Sequence, residues 1–75
     1  MTRFHVVEYL SADEIDRRYK TCPSPREKTH WQILWLLTRA DGPRTAVAVG
    51  RVVGLTPTWV RTLVRRWNEH GPEGL

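Results

Sequence analysis

With 75 residues the chain has the length of one domain, and its 40% of hydrophobic residues exclude a disordered composition. Twelve Lys and Arg against eight Asp and Glu give a net charge of +4, which favours a polyanionic partner, most often nucleic acid. A single cysteine, Cys22, excludes an internal disulfide, and the apolar runs are too short to span a bilayer. Because the start also lacks a signal-peptide layout, we expect a cytoplasmic or nucleoid protein without a membrane partner.

The basic residues are concentrated in the second half of the chain. No acidic residue lies between Asp41 and Glu69. The same stretch carries Arg44, Arg51, Arg61, Arg65 and Arg66. This separation of charge is typical of a face that meets an anionic surface.

Two helices are predicted in the first half. Residues 1–10 form either an ordered arm or a frayed end. Ser11 and Glu14 form a capping box, with Leu10 and Ile15 placed as a hydrophobic staple, so a helix starts at Ser11 and ends before Pro23.

The second helix begins with the cap Ser24, then Pro25, and runs to about residue 39 or 40. Its segment 31–37 is apolar nearly all round, which indicates a central, buried helix. Trp31, Trp35 and the later Trp67 are expected in the core.

Two further helices follow, and they complete an all-α, homeodomain-like four-helix domain over residues 11–71. Thr45 caps a helix of about Ala46 to Val53. Thr56 then caps a helix that begins at Pro57 and ends at about His70. Its buried stripe comprises Val60, Leu63, Val64 and Trp67. Residues 72–75 are expected to begin a linker.

The window from 46 to 65 matches a helix-turn-helix. Such a motif needs a small residue where the helices approach and a turn residue that tolerates a left-handed backbone. Gly50 and Gly54 meet these two demands. Apolar residues occupy the crossing points at Val49, Val53, Leu55, Val60 and Leu63.

The face opposite the buried stripe supplies the predicted contacts to double-stranded DNA. Arginine can bind guanine bidentately, and threonine can offer its hydroxyl or its methyl group to a base. Arg65 and Arg66 are as well suited to phosphates, whereas Trp59 is more often a packing residue. The predicted DNA-binding residues are Thr56, Pro57, Thr58, Trp59, Arg61, Thr62, Arg65, Arg66 and, before the third helix, Arg44.

Catalysis and metal binding find no support in the residue spacing. His5, His30 and His70 are far apart, and no zinc-ligand spacing is present. Cys22 has no histidine or base at readable spacing to activate it. We therefore expect no enzyme in this chain, no cofactor and no small-molecule substrate.

The same segments resemble the amino-terminal domain of bacterial insertion-sequence transposases of the mariner-like superfamily. The resemblance covers nearly the whole chain and rests on Leu-Ser-Ala-Asp-Glu at 10–14, Pro-Arg-Glu-Lys at 25–28, Trp-Gln-Ile-Leu-Trp-Leu-Leu at 31–37, the helix-turn-helix window 46–65 and the closing residues 65–75. The closing residues are its most specific part. Residues 39–44 depart from the family pattern. The resemblance implies a domain that binds the element's terminal inverted repeats, while a separate domain with three metal-binding carboxylates performs the chemistry.

Several alternatives remain open at this point. The chain is either a fragment of a longer transposase or a free-standing truncated relative. A stand-alone transcriptional regulator would use the same surface, and a homodimer would extend the few base pairs that one such module contacts. A protein-interaction module without DNA binding would use the fourth helix as a docking face.

Overall fold

A computed structural model describes residues 5–39, 41–43 and 45–75, and this part of the chain is all-helical. The helices are α1 (Ala12–Thr21), α2 (Pro25–Thr38), α3 (Ala46–Val53) and α4 (Pro57–His70), followed by one 3-10 turn, Gly71–Gly74. The expected four helices and the absence of strands among the described residues are confirmed. None of the helices described is long and apolar enough to cross a membrane.

Each helix starts at the hydroxyl cap that the sequence predicts. The side-chain oxygens of Ser11, Ser24, Thr45 and Thr56 each accept a hydrogen bond from the backbone amide three residues later. These bonds satisfy amides that have no partner within the helix.

In a capping box the Glu14 side chain would accept a hydrogen bond from the Ser11 backbone amide, but in the structure it has other partners. The Glu14 carboxylate accepts hydrogen bonds from Arg17 and Arg18, which lower the pKa of Glu14 to about 2. Two guanidinium groups on the same helix face attract the carboxylate more strongly than one backbone amide.

Helix α2 is the central element, as expected, because it contacts each of the other three helices. Ile33 and Leu36 belong to a core cluster shared with α3 and α4. Leu34 joins a second cluster with Ile15 of α1 and Trp67 of α4. A helix apolar nearly all round can serve both clusters at once.

The tryptophans differ from one another more than the sequence suggests. Trp67 is fully buried, as predicted, whereas Trp31 and Trp35 are half-buried and pack against the core clusters from their edge. The Trp35 indole N–H donates to Asp16 at 2.7 Å, which keeps that ring at the surface. The guanidinium of Arg39 covers its exposed side, 4.5 Å from the ring centroid.

Both ends of the described chain pack against α4. Asn68 accepts a hydrogen bond from the Val7 amide and donates one to the His5 carbonyl oxygen, so residues 5–10 form an ordered arm. Residues 72–75 were expected to begin a linker, but residues 72–74 lie within the 3-10 turn and Leu75 packs against both core clusters. The apolar side chain of Leu75 gains from burial, which an extended linker would forgo.

Candidate nucleic-acid interface

The connection between α3 and α4 is a tight turn of three residues, 54–56. Gly54 ends α3 in the left-handed conformation with φ +76°, which glycine adopts without steric cost. The amides of Gly54 and Leu55 both donate to the carbonyl oxygen of Gly50, at 2.8 and 3.0 Å. The turn is therefore held by hydrogen bonds to the last turn of α3.

Gly50 has the packing role that its position predicts, although the neighbour is different. A Cβ atom at Gly50 would collide with the backbone carbonyl of Leu55 rather than with the body of α4. The close approach is thus between α3 and the turn itself. Val49 is fully buried next to it, and Val53 and Leu55 pack against the same core cluster.

One side of α4 is buried in the core, so the residues on its opposite side face outward. Val60, Leu63 and Trp67 are fully buried, and Val64 is 3% exposed. With 100° between successive residues, the middle of the opposite side comprises Thr58, Thr62, Arg65 and Glu69, with Arg61 and Arg66 on its two flanks. Thr56, Thr58, Arg61, Arg65 and Arg66 are exposed, whereas Pro57, Trp59 and Thr62 are half-buried.

The three threonines of this face retain different hydrogen-bonding capacity. Thr56 accepts from the Trp59 amide, which leaves its hydroxyl proton available to an acceptor such as a phosphate oxygen. Thr62 donates to the Thr58 carbonyl oxygen, which leaves lone pairs available to a donor such as a base amino group. The Thr58 hydroxyl has no hydrogen-bond partner among the described residues and can serve as either.

The arginines of α4 have no carboxylate partner in the described part of the chain. Arg61 and Arg65 make no hydrogen bond or ion pair there, in contrast to Arg17 and Arg18, which Glu14 holds. Arg66 lies over the Trp59 ring, 5.4 Å from its centroid. An arginine without an internal counter-charge needs little reorganisation to meet an external anion.

Trp59 links this face to α2. Its ring lies 6.1 Å from that of His30, edge to face, so packing is a clear role of this tryptophan. His30 is 9% exposed, and its Nδ1 has no hydrogen-bond partner among the described residues. Burial lowers the pKa of His30, and the nearby guanidinium groups of Arg26 and Arg66 lower it further.

Arg26 and Glu69 also belong to this region, although neither is among the predicted contacts. Arg26 is exposed at the start of α2, and both Arg26 and Arg66 lie near enough to His30 to act on its charge because α2 packs on α4. Glu69 is exposed and lies in line with Thr58, Thr62 and Arg65, which helical spacing alone could have shown. Its carboxylate limits the cationic face to the first three turns of α4.

Arg44, a predicted DNA contact, lies outside the described residues. Among the residues that are described, no three His, Cys, Asp or Glu side chains lie close enough to hold a metal ion.

No protein-family model, curated protein or solved structure matches this chain. The resemblance to insertion-sequence transposases therefore stays a prediction that rests on the residues quoted for it.

Proposed function

We propose that this protein binds double-stranded DNA sequence-specifically, with α3, the 54–56 turn and α4 acting as a helix-turn-helix. The observation that carries the proposal is the outer face of α4. It presents three arginines without a carboxylate partner in the described part of the chain, on a helix whose other side is fully packed. A rigid, cationic helix face of this length fits the major groove.

The proposed mechanism divides the face by position. Thr58, Arg61 and Thr62 lie in the first two turns, the part of such a helix that contacts base edges. Arg66 lies at the flank beside Trp59 and is placed for a phosphate. Arg65 lies between the two groups, within reach of either kind of contact.

A narrower proposal is that the protein is the end-binding domain of an insertion-sequence transposase, or a free-standing relative of one. It rests on the resemblance of the sequence segments alone, most specifically of the closing residues 65–75. A single module of this size contacts few base pairs, so useful affinity calls for a homodimer or a second domain.

A second candidate function is a protein-interaction module. The observation that favours it lies on α3, where Val47 and Val52 are 44% and 56% exposed. Burial of these two side chains against another protein would be favourable, although five residues place them about 140° apart round α3 and so not in one patch. Binding of that kind depends little on salt, whereas DNA binding depends on it strongly.

The test is fluorescence anisotropy with mixed-sequence duplex DNA over a series of salt concentrations. We expect the logarithm of the affinity to fall linearly with the logarithm of the salt concentration, and the slope measures the number of phosphate contacts. Selection from random duplexes should then yield a preferred site. A variant with Arg61, Arg65 and Arg66 changed to alanine should lose binding.

The matched control changes Arg17, Lys20 and Lys28 to alanine. This variant also loses three positive charges, but from α1 and α2, and it should bind DNA nearly as well as the unchanged protein. No binding at low salt, or an equal loss in both triple variants, would contradict the proposal.

A further inference from the structure

We propose that Arg26 of α2 and Arg66 of α4 together bind one phosphate group of the DNA backbone, at the junction of the two helices. The inference rests on the proposed DNA-binding function and assigns part of it to α2. It adds a second element to the interface, one that contributes no base contact.

The geometry places both arginines at the same junction. The Arg66 guanidinium lies 5.4 Å from the Trp59 ring centroid, and the Trp59 ring lies 6.1 Å from the His30 ring. Arg26 precedes His30 by four residues and so lies on the same face of α2. The His30–Trp59 contact thus has Arg66 beside it on α4 and Arg26 one helical turn away on α2.

The charges at this junction are not balanced internally. Arg26 and Arg66 are both exposed, and neither forms an ion pair or a side-chain hydrogen bond with any described residue. Glu27 is the acidic group that acts on His30 from α2. Two guanidinium groups against one carboxylate leave a net positive charge, which a phosphate would neutralise.

His30 lies close enough to both arginines for their charges to act on its imidazole. It is buried, its Nδ1 has no hydrogen-bond partner among the described residues, and both guanidinium groups lower its pKa. A phosphate bound by Arg26 and Arg66 would offset this positive potential. DNA binding should therefore raise the pKa of His30, which makes the imidazole an internal reporter.

A phosphate is the fitting ligand because of where the junction lies. Trp59 and Arg66 lie on the flank of α4, about 180° round the helix from Pro57, beside rather than within the outward stripe. When a recognition helix lies in the groove, its flanks and the helix beside it face the phosphate backbone. The contact should therefore be independent of base sequence.

The experiment compares Arg26→Ala with Lys28→Ala in the DNA-binding salt series. Lys28 belongs to the same helix and carries the same charge, but its Nζ lies on the opposite side, 5.7 Å from the Tyr19 ring centroid. Changing both Arg26 and Arg66 to alanine should reduce the salt slope by about 0.9 and weaken binding about eightfold at 0.1 M salt, the counterion-release contribution of one phosphate. Arg26→Ala alone should produce a measurable part of this change, because Arg66 remains. Lys28→Ala should change neither the slope nor the affinity.

NMR titration of His30 with and without DNA gives the second measurement. In the unchanged protein DNA should raise the pKa of His30, and in Arg26→Ala this increase should be smaller. Equal salt slopes for Arg26→Ala and Lys28→Ala, together with an unchanged response of His30, would overturn this inference while leaving the proposed function standing. If the unchanged protein does not bind DNA, both proposals fail.

Discussion

Gly50 and Leu55 approach so closely that any side chain at position 50 would collide with the Leu55 carbonyl group. The carbonyl oxygen of the same glycine accepts the amide of Leu55 at 3.0 Å. The backbone that leads into α4 is therefore held directly against α3. The position from which the candidate recognition helix starts depends on this contact.

We expect Gly50→Ala to destabilise the protein by about 1–3 kcal/mol, the usual cost of overpacking a close contact. Alanine favours a helix by about 1 kcal/mol over glycine, and the collision should outweigh this gain. Urea denaturation followed by far-UV circular dichroism measures the difference.

Gly54→Ala provides the comparison for that variant. A Cβ atom there has open space, but φ of +76° should still cost about 1–2 kcal/mol, and Gly54→Asn should cost less. A Gly50→Ala protein that unfolds at the same urea concentration as the unchanged protein would show that the close approach is absent.

The Asn68 side chain should control the order of the amino-terminal arm. Asn68→Ala removes hydrogen bonds to both His5 and Val7, and we expect a loss of about 1–3 kcal/mol, since each bond contributes about 1 kcal/mol. Hydrogen exchange at the Val7 amide should accelerate. Asn68→Asp keeps the acceptor for Val7 and should protect that amide better; equal exchange in all three proteins would contradict the arrangement.

Stability should fall on acidification because of His30. Its pKa is lowered in the folded state below the ordinary value of 6.5, so the unfolded chain binds more protons at mildly acidic pH. The stability associated with neutral His30 is complete above pH 6.5 and is lost as pH falls through the lowered pKa. Arg26 and Arg66 oppose protonation and Glu27 favours it.

Urea midpoints measured between pH 5 and pH 7.5 test this dependence. As the pH is lowered from 7.5 to 5, the urea midpoint of the unchanged protein should decrease. The midpoint of His30→Gln should decrease less, because glutamine cannot take up the proton. Parallel pH curves for the two proteins would assign the dependence to other groups.

The two flanks of α4 should differ in what they recognise. Arg61→Ala should weaken binding to the selected site and relax base preference at one position, since a bidentate contact to a base contributes about 1–3 kcal/mol of discrimination. Arg66→Ala should weaken binding to every duplex alike. Competition assays with single-base variants of the selected site measure both effects, and equal effects of the two variants on every sequence would refute the assignment.

Removal of the Glu69 charge should strengthen DNA binding. Its carboxylate lies on the same face as Arg65 and repels phosphates. We expect Glu69→Gln to bind about twofold to fivefold more tightly at low salt, because interactions between exposed charges contribute up to about 1 kcal/mol. Asp13→Asn, the same change on α1, should have no such effect; a matching gain there would point to net charge alone.

The helices, their starting residues and the buried stripe of α4 were predictable from the sequence. Hydroxyl caps act over three residues, and the apolar stripe repeats within two turns, so each signal is local in the chain. The roles of Gly54 in the turn and of Gly50 at the close approach were predictable for the same reason, because the turn and its hydrogen bonds lie within six residues. The exposed cationic face of α4 follows from the buried one by helix geometry.

Only the tertiary structure decided which distant groups meet. Asn68 holds an arm some 60 residues away, and His30 of α2 meets Trp59 of α4 with charges from both helices around it. No periodicity records such a contact, since its free energy depends on how whole helices pack. Polar side chains also have several possible partners within reach, and Glu14 binds Arg17 and Arg18 rather than the Ser11 amide. The sequence thus determined the elements and the face that each presents, and packing determined which faces share one surface.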